Sequence, residues 1–280
     1  QTLDLYQPCS AKFCVIVGLL DDTSTSFCHY EKAKTERRLM PLETLRQGIR
    51  FGMMENLMIQ YVYPDYELPA EYDAVIESID HSKIKPTKVN ADVWVVDSIK
   101  NVKSDVPVVW RTDRQTLFDS EDEVIQALEK VPRLNVVLTD VTVSTDADFD
   151  AYKAFLQRMA AKIEQVFVDG KAPQLNLLTD RMMLKEMNNC GAGDTNITLA
   201  TNGKFYICPA FYYEDETDSV GNLEHGLDIK NKQLYKLEYA PICRHCDAWQ
   251  CKRCVWLNRK TTLEVNTPSH EQCVMTHLER

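Results

Sequence analysis

Residues 13–39 read FCVIVGLLDDTSTSFCHYEKAKTERRL. The first eight, Phe13–Leu20, form an apolar run rich in branched side chains without strict alternation. That pattern suits a strand buried on both faces, as in a parallel sheet. The polar stretch that follows, Asp21–Leu39, then reads as the loop after a first strand. In parallel β/α folds the chemistry sits in such loops, at the C-terminal ends of the strands. This loop carries Cys28-His29-Tyr30. A thiol beside an imidazole fits either a nucleophile with its base or a buried thiol next to a partly exposed histidine. Adjacency in sequence does not separate the two.

Further runs of the same kind recur outward from this segment: Leu57–Tyr63, Val93–Val96, Val106–Trp110, Leu134–Leu138 and Leu175–Leu178. Helical patterns lie between several of them. One opens at Met40-Pro41-Leu42-Glu43 and runs to about Met54, with proline in its first turn. Ser120–Lys130 has an acidic first turn and Val124, Ile125 and Leu128 at helical spacing. Ala147–Val166 repeats that spacing with Phe149, Tyr152, Phe155, Leu156, Met159 and Ile163. Strand–helix alternation over about 180 residues implies an α/β class fold, layered or a partial barrel.

Composition excludes several classes. Hydrophobic residues make up 44% and charged residues 26% of the 280, so a mainly disordered chain is ruled out. No apolar run approaches the roughly 18 residues that cross a bilayer, so no membrane partner is expected. The net charge of −10 argues against a nucleic-acid binder. Neither G-x-G-x-x-G nor G-x-x-x-x-G-K-[ST] occurs, so the common dinucleotide and triphosphate cradles are missing. No secretory n-region and h-region open the sequence, and a cytoplasmic location is expected.

Cysteine divides the chain. Cys9, Cys14 and Cys28 stand in the first 28 residues, and seven more follow only from Cys190 onward. Charge divides with it: residues 1–180 hold 20 basic and 29 acidic residues, whereas residues 181–280 hold 12 and 13. Two parts are therefore expected, 1–185 and 186–280. The later cysteines run Cys190, Cys208, Cys243-x2-Cys246-x4-Cys251-x2-Cys254 and Cys273. Short C-x2-C turns let two thiolates converge on one metal or one cluster face. A disulfide framework or plain buried thiols would explain the spacing less well, and two metal sites sharing the array fit it better than one. Arg244, Lys252, Arg253, Arg259 and Lys260 surround the array, and positive charge near sulfur favours thiolate. Trp249 and Trp256 are candidates for shielding a centre from water. His245, His270 and His277 are each candidates for a substitute ligand. Asn202-Gly203 marks a hairpin joining Ile197–Leu199 to Lys204–Ile207, which would return Cys208 to the neighbourhood of Cys190.

The pattern Cys190…Gly203-x4-Cys208…Cys243-x2-Cys246-x4-Cys251-x2-Cys254…Cys273, with Val220-Gly221-Asn222-Leu223 before the dense run, resembles the SPASM domain of peptide-modifying radical S-adenosylmethionine enzymes. The resemblance covers about residues 186–278, with two inner spacings one residue shorter than usual. It implies [4Fe–4S] clusters, one or two. Cys190, Cys208 and Cys254 would hold the first, with one iron open; Cys243, Cys246, Cys251 and Cys273 would hold the second. Zinc is the alternative metal. The part before it would be a partial (β/α) barrel of radical-SAM type, in which a C-x3-C-x2-C motif after the first strand binds the radical cluster. Here Asp21 and Thr25 stand where the first two cysteines would, with Cys28 at the third. The loop Tyr63-Pro64-Asp65-Tyr66-Glu67 also lacks the Gly-Gly-Glu that meets the cofactor. S-adenosylmethionine is therefore not expected to bind, and no catalytic residue is assigned.

The whole chain is similar to pseudo-radical-SAM SPASM proteins, most of all to the CXXX repeat peptide maturases of bacterial ribosomal-peptide gene clusters. That resemblance implies an iron–sulfur accessory protein acting on a cysteine-rich precursor peptide, beside an active radical-SAM enzyme. Two alternatives remain at this level. One is a non-radical maturase that binds a peptide thiolate at an open iron; the other is a zinc-binding scaffold for a partner radical enzyme.

Overall fold

The computed structural model describes residues 13–31 and 34–280. Its centre is a sheet in which β1 (Val15–Leu19), β2 (Met58–Val62), β3 (Ser82–Lys85), β4 (Val93–Val96), β5 (Val108–Thr112) and β6 (Leu134–Leu138) lie side by side in chain order. Every pairing among these six is parallel, for example Ile16 beside Ile59 and Val109 beside Asn135. Helices α1 (Leu42–Met54) and α2 (Ala70–Ile76) flank β2, α3 (Arg114–Asp119) and α4 (Glu121–Leu128) join β5 to β6, and α5 (Asp146–Val168) follows β6. This is the α/β architecture expected from the apolar runs.

After the short α6 (Asp180–Met183), the chain returns to the sheet. Strand β7 (Asn196–Leu199) pairs parallel with the free edge of β1, and β8 (Phe205–Tyr206) turns back antiparallel on β7. The Asn202-Gly203 hairpin is thus present, with Gly203 at φ +74 where a side chain would be strained. It belongs to the main sheet, so the sheet itself crosses from residues 1–185 into residues 186–280. Next come α7 (Pro209–Glu214), a two-residue ladder of β9 (Gly221–Asn222) with β10 (Gly226–Leu227), α8 (Val255–Thr262) and α9 (His270–Leu278). The segment between β10 and α8 holds only short single turns.

Two sequence expectations are corrected. Leu175–Leu178 is no strand: Leu175 makes a single bridge to Leu134, and Thr179 Oγ1 accepts from the Leu175 amide to close a turn. Conversely, Ser82–Lys85 is a strand the apolar pattern does not mark, because only Ile84 of its four residues is buried.

Strand alternation splits the interior. On the outer face, Ile16, Ile59, Tyr61, Ile197 and Leu199 pack on α1 and α2 through Leu45, Ile49, Tyr72 and Ile76. Farther along, Val108, Trp110, Leu134 and Val136 meet α4 and α5 through Val124, Leu128, Phe155 and Met159. On the inner face stand Val17, Leu19, Val62, Ile84, Val95 and Val109. What covers that inner face is aromatic: Tyr30 from the loop after β1, Tyr206 of β8, and Phe211, Tyr212 and Tyr213 of α7.

Candidate metal centre

The loop after β1 is fixed at several points before it reaches Cys28. Asp21 is fully buried, and its carboxylate accepts from the Thr23 amide and hydroxyl and from Tyr66 Oη at 2.9 Å. Thr25 donates its amide to the Tyr63 carbonyl. The two residues at the missing ligand positions therefore hold the loop to the one after β2. Phe27 and Tyr30 meet edge-on at 5.9 Å, and Tyr30 stacks on Tyr213 at 5.6 Å. Arg111 of β5 clamps the far side, donating from Nε to the Cys28 carbonyl at 2.8 Å and from Nη2 to the Tyr30 carbonyl at 2.9 Å. His29 Nδ1 lies 2.9 Å from the Leu138 carbonyl at the end of β6. Burial lowers the His29 pKa and raises that of the Cys28 thiol. A neutral imidazole bonded to a backbone carbonyl beside an un-ionised thiol does not make an activated nucleophile, so that reading of Cys28-His29 is set aside.

Cys190 precedes β7. Its amide donates to the Lys252 carbonyl at 2.9 Å, and its carbonyl accepts from Asn196 Nδ2. Those bonds lash the start of β7 to the Cys251–Cys254 segment. Cys208 ends the β7–β8 hairpin at the N-cap of α7, and Cys254 is the N-cap of α8. Backbone amides of the following turns point at both sulfurs: Phe211 and Ala210 at Cys208, Leu257 and Trp256 at Cys254. Helix-start amides of this kind favour negative charge. Cys246 Sγ accepts from the Ala248 amide at 3.4 Å, and Cys251 Sγ from the Arg253 amide at 3.3 Å. The second sulfur of the Cys243/Cys246 pair and the first sulfur of the Cys251/Cys254 pair thus each accept a backbone amide from two residues on.

All eight of Cys28, Cys190, Cys208, Cys243, Cys246, Cys251, Cys254 and Cys273 are free thiols. All eight also line one cavity of about 450 Å³. Cys208 interacts electrostatically with Cys254 and Cys190, and Cys28 with Cys190 and Cys254. Cys243 interacts with Cys251, Cys273 and Cys246. Cys254 in turn interacts with both Cys190 and Cys251, so contacts run across the two sets expected from sequence as well as within them. Among the described residues, no three or more His, Cys, Asp or Glu side chains converge tightly enough to grip a single metal ion. Burial pushes the Cys243 and Cys254 thiols up to about 12, so in the metal-free chain they are protonated. Metal loading would have to expel those protons.

Arg253 stands between the two sets. It is 3% exposed and lines the cavity, and its charge acts on both Cys190 and Cys243. One end of the guanidinium donates to the Tyr235 carbonyl, while Nε and Nη1 have no partner among the described residues. Of the three candidate histidines only His277 borders the cavity, with Nε2 3.5 Å from Cys246 Sγ. Trp256 lines it as well, but Trp249 lies outside the lining and stacks under Arg181 at 3.9 Å. Cys9 falls outside the described residues, and Cys14 is not one of the eight thiols.

No protein-family model and no curated protein matches the chain. Solved structures do. Native anSMEcpe with bound AdoMet matches with a TM-score of 0.65 at 11% identity, over 95% of each chain. The same protein with AdoMet and the Cp18Cys peptide matches at 0.60 and 12%, over 96% of each chain. SuiB of Streptococcus suis, bound to the precursor peptide SuiA, matches at 0.56 and 11%, over 93% of this chain and 76% of SuiB. At such identity the likeness is one of fold. It agrees with the partial-barrel architecture expected from the sequence.

Proposed function

We propose that this chain is an iron–sulfur protein of the SPASM type that serves in maturing a precursor peptide without a radical cluster of its own. The observation that carries the reading is the single cavity bordered by eight free thiols. An all-cysteine donor set around one cavity has the chemistry that iron–sulfur clusters take. Helix-start amides and the unpaired nitrogens of Arg253 supply donors toward the anionic charge such clusters carry. Bound clusters would supply one-electron transfer. The chain itself would hold them, shield them with Trp256 and keep water from the inner face.

Two features support the absence of a radical site. Asp21 and Thr25 bind the loop after β2 instead of offering thiolates, and Tyr30 and Tyr213 stack over the inner face of the sheet. A peptide partner is supported by the fold's likeness to two proteins solved with peptides, one of them a precursor. The chain would present its clusters to a cysteine-rich precursor, beside an active radical-SAM enzyme.

The test is iron, sulfide and zinc content with visible absorption on protein purified without oxygen, followed by titration with S-adenosylmethionine and a strong reductant. Iron and sulfide for two four-iron clusters, with no cleavage of S-adenosylmethionine, is the expected outcome. Zinc without sulfide removes the redox role. Reductive cleavage of S-adenosylmethionine restores a radical site to the chain.

A further inference from the structure

The first set of thiols raises a question about its fourth corner. Three ligands, Cys190, Cys208 and Cys254, would leave one iron free to take a peptide thiolate. The loop after β1, though, does not aim its cysteine away from that corner. Phe27 and Tyr30, on either side of Cys28-His29, turn into the inner face, where Tyr30 stacks on Tyr213. Arg111 holds the carbonyls of Cys28 and Tyr30 from β5, and the Leu138 carbonyl holds His29 from β6. With the neighbours of Cys28 committed in this way, its thiol borders the same cavity as Cys190, Cys208 and Cys254. It packs against the same aromatic layer as Cys190 and Cys208.

We infer that Cys28 is the fourth ligand of the first metal centre, so that this centre is closed by a residue of the barrel loop and has no open iron. The inference rests on the iron–sulfur reading above and sharpens it. A cysteine in the loop where a radical cluster would sit closes the auxiliary centre instead. Assembly forms four sulfur–iron bonds and releases four thiol protons, with no change in the oxidation state of cysteine. A closed centre transfers electrons but binds no substrate at iron, which removes the non-radical maturase alternative. It also ties the barrel loop and the cysteine-rich segment into one unit.

The experiment compares the full chain with Cys28→Ser and Cys28→Ala, each loaded without oxygen and reduced, by electron paramagnetic resonance with and without added small thiol or imidazole. The parent spectrum is expected to ignore the added ligand. Both variants are expected to keep their iron, shift on ligand addition, and give a three-iron signal on mild oxidation. A parent spectrum that shifts, matched by the variants, overturns the inference. Should the variants fail to fold, the parent's response alone still decides between closed and open. If the parent holds zinc without sulfide, the iron–sulfur reading fails separately. Cobalt substitution then counts the thiolates: charge-transfer intensity for four in the first site supports Cys28 as a ligand, and intensity for three refutes it. A parent that takes up no metal overturns both.

Discussion

Arg253 sits at φ +45, in the left-handed region that an arginine enters at a cost of about 1–3 kcal/mol. It also buries a cation whose Nε and Nη1 have no partner among the described residues. Neither feature helps the bare chain fold, and both make sense if an anionic centre fills the cavity. Arg253→Met is accordingly expected to weaken metal retention by about 10- to 100-fold, the usual cost of losing a group that supports a metal's ligands. Arg253→Lys, which keeps a charge without the fork, should fall between the two. Competition with a chelator measures all three. Equal retention in the parent and the Met variant would mean that the guanidinium serves only to anchor the Tyr235 carbonyl.

The loop after β1 behaves as one element because a second buried residue anchors its base. Asp22 is 4% exposed and accepts from Thr201 Oγ1 and Tyr212 Oη, with Arg38 Nε at 2.9 Å and Lys34 Nζ at 3.5 Å. Glu216 pairs with the same two cations from the other side. Asp22→Ala is expected to cost about 3 kcal/mol in urea unfolding, since it strips a buried carboxylate from two hydroxyls and two cations. Hydrogen bonding from Lys34 holds the Glu216 carboxyl near 2, against an ordinary 4.5. A depressed acid contributes stability that is present above its unfolded pKa and is lost as pH falls. Stability should therefore decline between about pH 4.5 and 2, and Glu216→Gln should flatten that limb. Very little of this element can be read in the sequence. The apolar run and the loop are evident, but Asp22 meets Thr201 and Tyr212 from 179 and 190 residues away, and the orientation of Cys28 depends on Arg111 and Leu138 of two other strands. What was legible is what spacing controls: five strands, the helices around Pro41, Ser120 and Phe155, and the Asn202-Gly203 hairpin. Strand β3 escaped because lysines flank its one buried residue. The aromatic cover of the inner face escaped because Tyr212 and Tyr213 sit in a short helix that meets Asp22 and Tyr30 from far along the chain.

Across the whole molecule, helix α9 links the cysteine-rich segment to the barrel. Its Cys273 faces the cavity, while Met275 is 2% exposed in the core with Tyr152, Phe155 and Leu156 of α5. Tyr152 Oη donates to Glu279 just past the helix at 2.7 Å, and Gln250 Nε2 donates to the Thr276 carbonyl at 2.8 Å. Little regular structure supports residues 228–254, so on the iron–sulfur reading their order would depend on the metal that the thiols hold. A ligand present at a thousand times its dissociation constant adds about 4 kcal/mol to the folded state. Stripping metal should therefore lower Tm by on the order of 10 °C in a chain of this size. The loss should also be ordered in space. Hydrogen exchange ought to quicken first at 243–254, then along α9, and last in β5, β6 and α5, where burial is independent of metal. The loop around Cys28 should loosen together with 243–254 if its thiol is a ligand, although it is more than 200 residues away in sequence. Unchanged exchange in both segments after chelation would mean that the cavity holds no structural metal, and the fold would then rest on its apolar layers alone.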